Sequence, residues 1–370
     1  MRFATALAVL LALAGRTPVD AQRPDSATNP LSISGYVTGS YVHSSQPTAG
    51  VAVGRLFDRN DGRVIGNAAR VTVKRTLATG KMDLGFQIDA LYGKNAVLTQ
   101  SAGLNIADQL DLPQAFIGVN VPMSSGNYVQ IKAGKIVTLL GVELLDDVLN
   151  SSFSHGYQFI YLADIAELGI SLEARLSPKV MAQFRVTNGW DVIRANNSGK
   201  TVIARLDFTL SDAVDLAFSG YSGPEQADNA TDLRHGVEFV GTFKPAKGTT
   251  LYAQFDLGGE HGLGLPGSGA HWFGAGGWGV FELAGNASLA LRGEYLFDRD
   301  GARTSGVLGF PVSAGRELTS GTVTLNYRPF AHTLLRPEFR VERSSRNDFG
   351  DPAARRGTQV TIGLALSFLF

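Results

Sequence analysis

Apolar and polar residues alternate along most of this chain with a period of two. Over 81–92, Met82, Leu84, Phe86, Ile88 and Ala90 share one parity, and Asp83, Gly85, Gln87 and Asp89 the other. Over 199–210, Val202, Ala204, Leu206 and Phe208 oppose Arg205, Asp207 and Thr209. Over 332–343, Leu335, Phe339 and Val341 oppose Arg336, Glu338, Arg340 and Glu342. A β-strand sends successive side chains to opposite faces, so each segment has one face for hydrocarbon and one for water or a polar interior. Charges in succession on one strand face exclude a dry sandwich core, where unpaired ions are very costly. A sandwich could carry them on its outer face, but it would not need lipid-type residues on nearly every other strand. The last segment, Gln359 to Phe370, repeats the pattern with Val360, Ile362, Leu364, Leu366, Phe368 and Phe370 on one parity.

The pattern predicts about sixteen strands: 32–44, 66–77, 81–92, 111–121, 126–136, 165–176, 179–188, 199–210, 212–222, 233–244, 248–258, 269–283, 286–297, 317–328, 332–343 and 357–370. Fourteen or eighteen would fit the same periodicity. The stretch from Trp272 to Gly279 is the weakest of them, being rich in glycine. Its two tryptophans fit either an aromatic belt or the barrel interior. Links between strands alternate in length, with short turns such as Ala78-Thr79-Gly80 and Ser177-Pro178. The long links are 45–65, 93–110, 137–164, 189–198, 223–232, 259–268, 298–316 and 344–356. Short turns at one end and long loops at the other are the signature of an outer-membrane barrel. The expected fold is all-β: a closed antiparallel transmembrane barrel with both termini periplasmic and a long inward-folding loop after strand 5. Closure pairs every backbone polar group within the bilayer. A barrel of about sixteen strands leaves an aqueous channel.

The start of the chain supplies an address. Met1-Arg2 is positive, Ala4 to Ala14 is an apolar stretch, and Val19-Asp20-Ala21 offers small residues before a cut at Gln22. That is a secretory signal peptide, leaving residues 22–370 as a single barrel domain in the bacterial outer membrane. No other stretch reaches the roughly eighteen apolar residues of a spanning helix. The chain has no Cys, so a disulfide framework is excluded. Net charge is zero with no basic run, which argues against nucleic acid as a partner.

The longest link, 137–164, has an apolar face at near-helical spacing, made by Leu139, Leu140, Leu144, Leu145, Val148 and Leu149. It also carries Glu143, Asp146 and Asp147. So much apolar surface is unfavourable in external water. Folded into the barrel, the acids would face basic strand residues such as Arg70, Lys74, Lys132 and Arg205, setting a transverse field across a constriction. The alternative is a surface helix or an oligomer-contact loop with solvated acids. The candidate pore-lining set is completed by Arg175, Arg185, Arg336 and Arg340. Many of these would equally form wall-to-wall ion pairs. Asn188-Gly189-Trp190-Asp191 reads as a strand end and turn, with Trp190 at the outer interface.

Gly134-Lys135 precedes Leu140-Gly141-Val142-Glu143, and Asn150 precedes Phe153-Ser154 and the aromatic stretch at Tyr157 to Phe159. Gly169 and Asn188-Gly189-Trp190-Asp191 follow in order. This order resembles the putative β-barrel porin-2 family, also described as OmpL-like outer-membrane porins. The chain departs from that pattern at Leu162-Ala163-Asp164-Ile165-Ala166, where the family usually shows a proline and a histidine. The resemblance implies a porin-like barrel and names no solute.

Motifs of catalysis are missing: there is no G-x-S-x-G, P-loop or H-E-x-x-H. The six His residues show no metal-ligand spacing. His155 after Ser154 reads as a polar loop residue rather than part of a hydrolase site. Asp58 to Gly62 has a calcium-loop flavour without the full ligand set, and reads as a turn. A porin for passive diffusion is therefore expected, with no enzymatic activity, cofactor or metal. A barrel enzyme and a structural or adhesive barrel are the alternatives. Expected partners are outer-membrane lipid, small hydrophilic solutes and the barrel-assembly machinery, for which Phe370 would be the C-terminal signal. An oligomer of identical chains is left open.

Overall fold

The computed structural model describes residues 31–265 and 269–370. The expected signal peptide lies outside them. Sixteen long strands form the wall. They begin with β1 (Leu31–Ser44), β2 (Arg63–Arg75), β3 (Asp83–Tyr92), β4 (Ala115–Pro122) and β5 (Tyr128–Val137). Next come β6 (Ala166–Ser177), β7 (Val180–Thr187), β8 (Thr201–Ser211), β9 (Val214–Pro224) and β10 (Leu233–Ala246). The last six are β11 (Thr249–Leu265), β12 (Gly269–Ala284), β13 (Ala287–Asp298), β14 (Arg316–Tyr327), β15 (Thr333–Ser344) and β16 (Thr358–Leu369).

Each strand pairs antiparallel with its sequence neighbours, and β1 pairs with both β2 and β16, for example Tyr36 opposite Arg70 and Leu369. The barrel is therefore closed. The seam is locked at its end by Gly35 N–H donating to the Phe370 carbonyl at 2.8 Å and Phe370 N–H to that of Gly35 at 2.9 Å.

Alternation fixes which face turns outward. On β16, Ile362, Leu364, Leu366 and Phe368 are exposed while Thr361, Ala365 and Ser367 are buried. The same exposed apolar set runs around the wall through Ile117, Leu172, Phe184, Leu206, Phe218, Phe255, Leu291 and Phe339. In water this surface would aggregate; in hydrocarbon it is satisfied.

Some boundaries differ from the sequence expectation. The link at 259–268 is largely strand, because β11 and β12 prolong their ladder to Leu265 opposite Gly269. The link at 93–110 holds a short helix, Lys94–Thr99. The glycine-rich stretch is a full strand, β12. Its Trp272 and Trp278 are buried on the inner face rather than placed in a belt. Trp190 is also buried, packed with Leu139, Leu140, Ile203 and Tyr221, so the outer-interface placement expected for it is corrected.

Candidate channel interior

The inner face of the wall is polar and densely charged. On β15, Arg336, Glu338, Arg340 and Glu342 are all buried, alternating with exposed Phe339 and Val341. Neighbouring strands supply Arg292 and Glu294 on β13, Asp256 on β11, Glu238 on β10 and Arg205 and Asp207 on β8, all buried. Charges of both signs at this density survive away from bulk water only when paired. Arg340 meets Glu342 at 2.8 Å, Arg205 meets Asp207 at 2.8 Å, and Arg185 meets Glu167 at 2.8 Å.

The segment between β5 and β6 is tied to these strands. It is not a regular helix: only a 3₁₀ turn at Asp147–Leu149 and a π-turn at Gln158–Leu162 are helical. Its backbone carbonyls, and that of Val137 at the end of β5, are taken by wall arginines. Arg185 donates to the Val137 carbonyl at 2.7 Å, Arg205 to Leu139 at 2.6 Å and Arg336 to Asp147 at 2.6 Å. Arg292 donates to the Ser154 carbonyl at 2.5 Å and Arg340 to that of His155 at 2.8 Å. Wall carboxylates take its amides: Gly141 N–H donates to Glu238 at 2.7 Å and Phe153 N–H to Glu338 at 2.8 Å. Orphan backbone groups must find partners when buried, and here the guanidiniums and carboxylates of the wall provide them.

The three acids of this segment do not meet the bases expected for them, except at Arg70. Glu143 pairs with Arg292 at 2.5 Å and accepts from Gly156 N–H at 2.6 Å. Burial works to raise its carboxyl, but Arg292 and His155 outweigh that and hold it below the usual range. Asp147 pairs with Arg336 at 2.5 Å. Asp146 accepts from Arg70 at 2.5 Å and from the Tyr36 hydroxyl at 2.7 Å, and burial leaves its carboxyl raised. Lys132 instead pairs with Glu173 at 2.7 Å, and Arg205 with Asp207.

Asn150 closes the turn by exchanging two 2.8 Å hydrogen bonds with the Leu144 backbone. The Ser154 hydroxyl accepts from Arg292 at 2.9 Å, while His155 Nε2 lies 2.8 Å from the Leu144 carbonyl. Both are engaged in holding the turn and form no nucleophile–base pair with each other.

Between this segment and the strands β1–β8 lies a cavity of about 790 Å³. Of the sequence candidates, Arg70, Lys74, Lys132, Glu143, Asp146, Arg185 and Arg205 border it. Asp147, Arg175, Arg336 and Arg340 do not border it; Arg336 and Arg340 are fully buried and act on the 138–162 backbone and on Glu342. Arg75 joins the bordering cations and Glu173 the carboxylates, so six cations face three side-chain carboxylates. Sequence reasoning missed Tyr36, Arg292, Glu238 and Gln254 as partners of the segment. Only strand register brings them to it. Phe370 lies just past β16, half-exposed like Phe368. Among the described residues no group of acids and histidines could hold a metal.

Solved structures share this architecture. An anion-selective porin from Comamonas acidovorans superposes with a TM-score of 0.63 at 10% identity, over 92% of this chain and 99% of that one. The outer-membrane channel DcaP of Acinetobacter baumannii gives 0.61 at 11% identity, over 94% and 99%. OmpT of Vibrio cholerae in its trimer form gives 0.61 at 9% identity, over 92% and 99%. No curated protein matches the sequence. The family model described as putative beta-barrel porin-2, OmpL-like, matches residues 30–370, and the chain belongs to that family of outer-membrane porins.

Proposed function

We propose that the protein is a non-enzymatic channel for passive diffusion of small hydrophilic solutes, narrowed by residues 138–162. The observation that carries this is the set of hydrogen bonds from that segment to side chains of β2, β10, β13 and β15, beside a charged cavity of about 790 Å³. A segment bonded to strands so far apart around the wall crosses the barrel, and what it leaves open is the route for solute. Lining charge gives that route a modest anion preference. The engagement of the Ser154 hydroxyl by Arg292 and of His155 by the Leu144 carbonyl supports the absence of hydrolase chemistry.

Residues 1–21 act as the export signal of a Gram-negative cell, on the strength of their positive start and apolar stretch. Phe370 serves as the C-terminal assembly signal. Its half-exposed ring on the lipid-facing parity supports this. Phe370→Asp should lower the amount of heat-modifiable barrel in outer membranes; unchanged assembly would remove that role.

Planar-bilayer recording of the purified protein tests the channel. Stepwise conductance is expected in KCl. A folded barrel that inserts without conducting would overturn the proposal.

A further inference from the structure

A second cavity, of about 390 Å³, is bordered by residues of the long loops and by Arg234 at the start of β10. Leu56, Phe159, Ile160 and Leu308 give it an apolar side. Trp190, Asp191, Glu225, Arg234 and Arg303 give it a charged one. Arg234 is neutralised by Glu260 at 2.8 Å. The other three charges are not. Among the described residues Arg303 forms no ion pair; its Nε donates to the Tyr161 carbonyl at 2.6 Å and its guanidinium lies over the Trp190 and Trp272 rings, leaving its two terminal nitrogens without a hydrogen-bond acceptor. Asp191 accepts Ile165 N–H at 2.8 Å and Ala166 N–H at 3.0 Å, both on Oδ1, and Oδ2 accepts none. Glu225 accepts Trp190 N–H at 2.8 Å and the Thr201 hydroxyl at 2.5 Å, and among the described residues meets no cation within ion-pair distance. The Trp190 indole N–H is buried and unpartnered.

Uncompensated charges of both signs thus border one pocket without meeting each other. Their protonation equilibria register the same imbalance. Burial, with Asp164 beside it, pushes Asp191 up to about 7. Burial also raises Glu225, and burial with Arg234 nearby pulls Arg303 down to about 10. A buried orphan donor and unpaired ions are costly features that a complementary ligand would satisfy. A lone anion would answer Arg303 and leave the acids; a lone cation would do the reverse. A stacked sugar is disfavoured, because Tyr221 lies 4.9 Å from the Trp190 ring, with Arg234 at 5.0 Å and Arg303 at 5.5 Å.

We propose that this vestibule pocket binds a zwitterionic α-amino acid with an apolar side chain. The carboxylate sits on Arg303, the ammonium on Asp191 and Glu225, and the side chain against Phe159, Ile160 and Leu308. The proposal rests on the channel reading and deepens it by naming a class of solute held at the entrance.

The test is calorimetric titration of the purified full-length barrel in detergent with L-leucine, 4-methylpentanoate and 3-methylbutylamine. Leucine should bind at least about tenfold more tightly than either singly charged analogue, the worth of one charge-assisted hydrogen bond. Arg303→Gln should weaken leucine by about tenfold while sparing the amine; Asp191→Asn should weaken it similarly while sparing the carboxylate. Asp191→Asn keeps the oxygen that Ile165 and Ala166 need, and heat-modifiable migration checks that each variant folds. Absence of leucine binding, an analogue that binds as well as leucine, or variants that bind leucine unchanged would each overturn the site. KCl conductance of the same wild-type preparation separates the two ideas. A barrel that conducts but ignores leucine removes the pocket alone, and one that binds leucine but does not conduct removes the channel alone.

Discussion

Five wall arginines serve as partners for one stretch of backbone at the end of β5 and beyond it. Arg185, Arg205, Arg292, Arg336 and Arg340 each donate to a main-chain carbonyl between residues 137 and 155. A planar guanidinium with several fixed donors can hold a wall carboxylate and a loop carbonyl together, which an ammonium does less well. Asp191 is a carboxylate whose environment is poorly compensated. It has a positive φ of 55°, a conformation that Asp and Asn tolerate. Its carboxyl is raised to about 7, first by burial, then by Asp164, and Lys135 and two backbone amides only partly offset this. Unfolded, the group titrates near its ordinary value of about 3.9. Between these values the native state holds more protons than the unfolded chain, so Asp191 makes stability fall as pH rises from about 4 to 7. Asp191→Asn removes that dependence. The thermal midpoint of the variant minus that of the wild type should therefore be more positive at pH 8 than at pH 4. A difference independent of pH would show that Asp191 titrates normally.

At the scale of elements, β12 shows what the sequence did and did not disclose. Its glycines weaken the period-two signal, yet two of them leave room for side chains of the segment 138–162. A Cβ on Gly274 would meet Leu162 and Gln158, and one on Gly276 would meet Gln158 and Trp278. The inner face of β12 is thus carved to admit the segment. Gly276→Val should displace the turn at Gln158–Leu162 and change single-channel conductance, whereas Gly285→Val, in a turn with open space around the added carbon, should not. Equal conductance in both variants and wild type would place the segment away from the ion path. The sixteen strands were legible because alternation is a local property of each segment. The path of the long segment was not. The contact between Arg336 and Asp147 joins residues 189 positions apart, and their meeting depends on the accumulated register of every strand between them. The acids were recognisable as functional candidates, but Arg292 and Arg336 as partners of Glu143 and Asp147 were not. No spacing rule links β13 or β15 to that turn.

The whole molecule is neutral by formal charge, and that neutrality is unevenly distributed between its outer and inner faces. The outer surface is apolar: Phe218, exposed in mid-β9 between Leu206 and Phe239, stands for it. Phe218→Arg should cost about 2–4 kcal/mol if it lies near the bilayer midplane, read from urea titrations of the folded barrel in lipid vesicles. A loss within about 0.5 kcal/mol would place it near the headgroups instead. Inside, six cations and three side-chain carboxylates border the larger cavity, and Asp83, Asp89, Glu167 and Asp207 stand behind four of those cations as ion-pair partners, so the positive excess along the proposed route is small. The wild type should therefore give a reversal potential favouring chloride over potassium in a KCl gradient at low salt. Asp146→Asn should strengthen that preference, because Asp146 is one of two carboxylates on Arg70, the other being Asp89. Most of the preference should vanish near 1 M salt, where screening shortens to about 3 Å. Cation preference in the wild type, or an Asp146→Asn barrel with an unchanged reversal potential at low salt, would mean that ions pass elsewhere than along this cavity.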